Sequence, residues 1–141
     1  TYCWQLNIVF DFMNKILVEV SVGELLDKIS ILEIKKDKIS DKNKIKFIND
    51  EYTILKNQYK KNIKANDKLD ALFKLLKGVN SKLWVIEDSK RMCEKNSDFG
   101  ENFIRLSRDV HFLNDTRAKI KLEINNLTGS KIKEIKNYNK Y

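Results

Sequence analysis

An arginine set among leucines and isoleucines marks the place where this chain could do chemistry. Arg117 occupies a position in a seven-residue apolar ladder, between Leu113 and Ile120. Its guanidinium must therefore meet a carboxylate or a carbonyl, or bend out to water. If the ladder folds back on itself near Asn96, Arg117 lies level with Val79 and Asn80, and Leu113 with Leu83. Two polar stripes then face one another. Asn80, Trp84 and Glu87 recur at i, i+4 and i+7, and Asn114, Arg117 and Lys121 at i, i+3 and i+7, with Asp88 and Asp115 flanking them. Such a layer could hold a small anion on Arg117 and Lys121, beside the Trp84 ring and against the first helix. The competing reading is a polar layer that sets helix register, the attested use of polar residues in a coiled-coil seam, and it is preferred on that ground.

Other chemistry finds less support. Glu24 and Asp27 share one helix face and could hold Mg²⁺, as in helical nucleotide pyrophosphohydrolases, but those sites need a second such pair and Glu87-Asp88 lacks the spacing. Glu24 is read instead as a helix cap, and Asp27 as paired with Lys28 or another neighbour. His111 is the sole histidine, without a partner nucleophile at any readable spacing. Cys3 and Cys93 lie far apart, outside any CxxC pattern, and no glycine-rich phosphate loop occurs. No catalytic residue, metal or cofactor is therefore assigned. Lys56, Lys60, Lys61 and Lys64 form the strongest basic face, interleaved with Tyr52 and Tyr59 in a way that could suit single-stranded nucleic acid. Both tyrosines also fall on an apolar seam, so core packing is their preferred use and the lysines read as a solvated face.

The elements that must position these residues follow from periodicity. Leu69, Leu72, Leu76, Val79, Leu83, Ile86, Lys90 and Cys93 are spaced alternately by three and four. So are Phe103, Leu106, Val110, Leu113, Arg117, Ile120, Ile124 and Leu127. Each run predicts a long helix with one narrow buried seam, and together they predict an antiparallel hairpin. Asn96-Ser97-Asp98 followed by Glu101 reads as the cap opening the second of these helices, and Gly129 as its terminator. Upstream, Ser21 and Glu24 form a capping box for a first helix to about Lys38, with Leu25, Ile29 and Leu32 on its seam. Ser40-Asp41 caps a second helix, in which Ile45, Ile48, Tyr52, Leu55 and Tyr59 hold the spacing, and Asn66-Asp67 caps the third. The run Ile16–Val20 is β-prone, and the basic tail 131–141 is expected to pair with it as a minor terminal β element.

Composition agrees with long helices, since 141 residues include no proline and four glycines. The net charge of +8 points to an acidic partner, nucleic acid or an anionic membrane. That reading is discounted because 24 of the 28 basic residues are lysine and only 4 are arginine. A phosphate-reading surface favours the planar arginine fork, and an A/T-rich genome alone enriches Lys, Asn and Ile. No apolar run is long enough to span a bilayer, and cysteine usage fits a reduced, cytoplasmic setting. Residues 1–12 precede Met13-Asn14-Lys15, which reads as a natural start. They are taken as a non-native or disordered extension ahead of a single helical domain, 13–141.

The run from Val18 to Lys35, VEVSVGELLDKISILEIK, resembles a family of small bacterial and bacteriophage proteins classed as a domain of unknown function. The likeness continues through Val79–Asp88 (VNSKLWVIED), Phe103-Ile104, Asn114-Asp115, Arg117-Ala118, Ile120-Lys121 and Leu127–Ser130. It covers most of Lys15 to Tyr138 and is weaker across the second helix. The ending Glu134–Tyr138 departs from the more acidic, serine-containing family tail. The resemblance implies a small helical protein without an assigned activity. It draws attention to Glu24, Asp27, Lys28, Asn80, Trp84, Glu87, Asp88, Asn114, Asp115 and Arg117, and the seam argument adds Lys121.

The expected architecture is mainly α, two antiparallel helical hairpins in a four-helix arrangement, the second hairpin long and coiled-coil-like. The expected role is a non-enzymatic interaction or adaptor module that binds a protein partner or self-associates through apolar flanks such as Trp84 and Phe112. An anionic-ligand or enzyme-like site at Trp84, Glu87 and Arg117 is the first alternative. Nucleic-acid binding through Lys56–Lys64 is the second.

Overall fold

The structure, a computed structural model, describes residues 15–141. The expectation for residues 1–12, and the start at Met13, lie outside the described residues. Four helices follow in order: α1 (Val22–Lys38), α2 (Lys42–Asn62), α3 (Asp67–Lys95) and α4 (Glu101–Thr128). None is long and apolar enough to cross a membrane.

Local chemistry sets each boundary. The α2 amides of Asn43 and Lys44 donate to the Asp41 carboxylate, and the α3 amides of Lys68 and Leu69 donate to Asn66 Oδ1. The Ser21 hydroxyl accepts from the Glu24 amide, half of the expected capping box. The other half is absent because the Glu24 carboxylate reaches across to Lys121. Gly129, at φ 66°, ends α4 in the left-handed conformation that a Cβ disfavours. The α3–α4 turn corrects the expected cap at Asn96-Ser97-Asp98. Ser97 takes φ 52° and the Asp98 and Ser97 amides close back on Cys93 and Glu94, so this stretch ends α3. Asp98 then accepts from the Gly100 amide, and α4 starts at Glu101 without a side-chain cap.

α3 and α4 form an antiparallel hairpin, and much of the expected ladder lies between them, although Leu127 at its end is exposed because the hairpin there has no further turn to pack against. Leu69, Leu76, Val79, Cys93, Leu106, Ile120 and Ile124 are buried, and Leu72, Leu83 and Leu113 are half-buried. Near the turn, Asn102 Nδ2 lies 3.5 Å from Cys93 Sγ, and Lys90 leaves the seam to sit over the Phe103 ring, 5.9 Å away. α1 lays Leu26, Ile29, Leu32 and Ile34 against the hairpin and the inner face of α2. α2 turns back along α1, its Tyr52 hydroxyl donating to Glu33 at 3.2 Å. The first turn of α1 meets Asn125, and α1 has 17 residues against 28 in α4. The last turns of α3 and the first of α4 therefore extend past it by about 10 Å at 1.5 Å per residue.

The terminal β element is corrected. Among the described residues there is no strand, and Ile16, Leu17 and Val18 are largely exposed. A lone β-prone run gains nothing without a ladder partner. Residues 131–141, which were to supply one, run along α4 instead. Glu134 reaches Lys121, and the Tyr141 hydroxyl donates to Asp115.

Gly23 is the point of closest approach between α1 and α4. A Cβ there would stand 2.7 Å from the Lys121 carbonyl oxygen and 2.9 Å from Asn125 Oδ1. Gly23→Ala is therefore expected to lower stability by about 2 kcal/mol, although alanine is the better helix former. Chemical denaturation of the two proteins measures the difference, and an unchanged or more stable variant contradicts this packing.

Candidate functional site

One buried carboxylate ties three helices together. Asp27 projects from α1 into the crevice between α3 and α4, its side chain 3% exposed. Arg117 of α4 grips it in bidentate fashion, Nε donating to Oδ1 at 3.0 Å and Nη2 to Oδ2 at 2.5 Å. From α3, Asn80 Nδ2 donates to the same Oδ1 at 2.8 Å and to the Ser30 hydroxyl at 2.7 Å. Ser30 in turn donates to the Asp27 carbonyl at 2.8 Å. Lys121 Nζ stands 3.4 Å from Asp27 Oδ2 and donates to Glu24 at 2.7 Å and to Glu134 of the tail at 3.3 Å. The Glu134 carboxylate also accepts from Lys136, at 2.6 Å.

The N-terminus of α1, a ready anion site when its amides are free, is satisfied from within. The Val22 amide donates to Ser130 Oγ at 3.3 Å, Gly23 to Asn125 Oδ1 at 2.7 Å and Glu24 to Ser21 Oγ at 3.0 Å. Among the described residues no buried side-chain nitrogen or oxygen lacks a hydrogen-bond partner. Arg117, Lys121 and Lys136 are matched by Asp27, Glu24 and Glu134, so the layer is electrically balanced.

Two open hollows flank Arg117. One, about 370 Å³, lies between α1, α4 and the tail and is lined by Asn114, Lys121, Glu134 and Tyr138 among others. The second, about 380 Å³, lies between α1 and α3, where Ile31 and Ile34 face Leu83, Trp84 and Glu87. Trp84 and Lys121 thus stand on opposite sides of Arg117. The expected anion seat, with both cations beside the indole ring, does not form as one pocket. No group of three His, Cys, Asp or Glu side chains converges among the described residues in a way that could hold a metal ion.

Of the residues singled out from the sequence, Glu24, Asp27, Asn80, Arg117 and Lys121 come together, and Asn114 lies 3.5 Å from Arg117 Nη1. Trp84 borders the layer half-buried. Lys28, Glu87 and Asp88 are exposed, and Asp115 is engaged by Tyr141 on another face of α4. Asp27 pairs across helices with Arg117, not with Lys28. Lys60, Lys61 and Lys64 are exposed, and Lys56 is half-buried with its ammonium 5.2 Å from the Tyr59 ring centre. Ser30, Asn125 and Glu134 were missed. Ser30 lies three residues beyond Asp27 on the same helix face, the one signal that could have marked it. Asn125 caps a helix about a hundred residues away in sequence, and nothing local announces that.

Burial pushes the Asp27 carboxyl upward, but hydrogen bonds from Arg117 and Asn80 and the charges of Arg117 and Lys121 outweigh it. The net shift is below the ordinary aspartate range. Arg117 is shifted upward, chiefly by its bond to Asp27. A depressed carboxyl contributes stability above its unfolded pKa and loses it as pH falls through the folded value. The Asp27 contribution is thus complete at neutral pH and disappears only below about pH 4. Arg117→Met leaves a buried carboxylate short of its main partner and is expected to cost about 3 kcal/mol at pH 7, shrinking toward zero in acid. Denaturation measured from neutral pH to pH 3 checks both sign and size, and a pH-independent loss contradicts the ion pair.

No curated protein and no solved structure matches the chain. A family model does match, over residues 16–141, nearly the whole described chain and including every member of the ionic layer. On that match, the chain belongs to the family of unknown function DUF6165.

Proposed function

We propose that this protein is a non-enzymatic helical interaction module that acts through the surface of its long hairpin, with the ionic layer as a structural device. The observation that carries this reading is the closure of the layer. Each cation of the layer, Arg117, Lys121 and Lys136, is already held by a carboxylate of the same chain. A binding site keeps its charged groups available for a ligand, and in this layer the carboxylates of the chain already take the Nε and Nη2 of Arg117 and the Lys121 ammonium. The heptad spacing of the seam, coiled-coil-like in pattern, supports the same view, because such hairpins serve as rigid surfaces.

Millimolar inorganic phosphate or citrate should leave the melting temperature where an equal ionic strength of chloride leaves it. A bound anion at one hundred times its dissociation constant would add about 2.7 kcal/mol. A phosphate-dependent rise that disappears in Lys121→Met would replace the module with an anion site.

A second reading is favoured by where the charge sits. Residues 28–64 hold eleven lysines against five carboxylates, most of the net +8 of the whole chain. The lysines of the α1–α2 hairpin fit a polyanion such as single-stranded nucleic acid, held through its phosphates, since Tyr52 and Tyr59 pack against the core. Binding to a fluorescent oligonucleotide should fall with salt and fall about tenfold or more in the Lys56→Glu, Lys60→Glu, Lys61→Glu variant. Binding that persists in that variant removes this reading.

A further inference from the structure

The α3 helix carries a second ladder. One step before each seam residue stand Leu75, Gly78, Lys82, Val85, Ser89 and Met92, again spaced by three and four. The positions one step after the seam, among them Asn80, Trp84 and Glu87, turn toward α1, so this second ladder faces away from α1 and α2. Among the described residues no helix packs over it. Leu75, Val85 and Met92 are 58%, 55% and 52% exposed. A helix that needed only solubility would carry charge at such positions. Alongside runs a groove of about 620 Å³, with Val85 and Ile86 on the α3 side and Phe112 and Leu113 on the α4 side.

We infer that a second copy of this chain occupies this face, the two α3–α4 hairpins packing about a two-fold axis. Three observations select a second copy over an unrelated helix. First, the groove is self-complementary in charge. Lys82 lies on one wall and Asp109 on the other, and neither forms an ion pair among the described residues. A two-fold axis brings each Lys82 to the Asp109 of the other copy, the isologous arrangement that symmetric dimers use. Second, charge is segregated. Residues 67–128 hold twelve basic against ten acidic groups, so the hairpin is the nearly neutral part of a chain of net charge +8. Two such molecules repel least when hairpin meets hairpin and the basic α1–α2 units point outward. Third, Gly78 leaves a gap within the ladder. A Cβ there would meet nothing within 4 Å inside the single chain, so the vacancy serves no internal packing and admits the close approach of another helix.

This inference rests on the reading of the chain as an interaction module. It is tested by measuring solution mass with light scattering across the micromolar range, on the full chain. The expected mass is twice the 16.7 kDa of one chain. Lys82→Asp and Asp109→Lys should each weaken the dimer about tenfold or more, by placing like charges together, and the double variant should recover it. Gly78→Leu should keep the parent's helical content by circular dichroism yet shift the mass toward one chain, which separates docking from folding. A mass of 16.7 kDa at every concentration overturns the proposal, as does a dimer that Lys82→Asp, Asp109→Lys and Gly78→Leu all leave intact. A monomer whose melting is indifferent to phosphate removes the second copy and leaves the module reading standing. A phosphate-dependent rise in melting through Lys121 removes the module reading whichever mass is found.

Discussion

The Asp27 carboxylate is the constraint on which the rest of the structure depends. A mainly aliphatic seam at seven-residue spacing specifies register weakly, because a slide by one heptad exchanges many of its apolar residues for others of similar size. Asp27 removes that ambiguity. Its Oδ1 accepts from Asn80 of α3 and from Arg117 of α4 at once, so one oxygen atom fixes the slide of both long helices relative to each other and to α1. Buried ion pairs contribute little net stability over apolar replacements, but a misaligned pair leaves a charge stranded and costs several kcal/mol. A shift of either long helix along α1 would therefore part Asp27 from Asn80 or Arg117.

The consequences reach the N-terminal end of α1 and the tail. With Asp27 in place, Gly23 meets the α4 backbone, and Asn125 and Ser130 take the first two α1 amides. Glu24 is drawn from its capping role to Lys121, and the tail follows, because Glu134 adds a further carboxylate to the same ammonium. Burial lowers the Lys121 pKa while its bond to Glu24 and the nearby Asp27 charge raise it, with a net rise that keeps the cation charged. A chain of local satisfactions thus runs from α3 through Asp27 and Lys121 to residues 131–141, where it reaches solvent.

Much of this was legible from residue spacing. The three-four ladder fixes the α3–α4 hairpin, its turn, and the level at which Arg117 meets Asn80, since both helices obey one geometry. The placement of α1 was not legible to the same depth. Its seam showed which face is buried, but no local pattern encodes the angle at which α1 crosses the hairpin, and that angle decides that Asp27 lands between Asn80 and Arg117. For the same reason Trp84 was placed on the right face of α3 but on the wrong side of Arg117 from Lys121. The β-prone run Ile16–Val20 misled because strand propensity describes a segment that has found a ladder, and this one has none. The Asn96-Ser97-Asp98 signal misled because residues that favour helix starts also accept the left-handed backbone that ends one, and Ser97 is used in the second way.

Division of labour between the two flanks of α3 follows from the same geometry. A helix in a two-helix seam has one buried stripe and two half-covered flanks. The flank one step after the seam carries Asn80, Trp84, Glu87 and Arg91 and is closed by α1, which explains why its polar members are matched to partners or turned to solvent beside Ile31 and Ile34. The flank one step before carries Leu75, Gly78, Val85 and Met92, with Lys82 and Ser89 between them, and its three large apolar side chains are more than half exposed. α1 covers one flank of the two-helix hairpin, and among the described residues the other stays open at Leu75, Val85 and Met92.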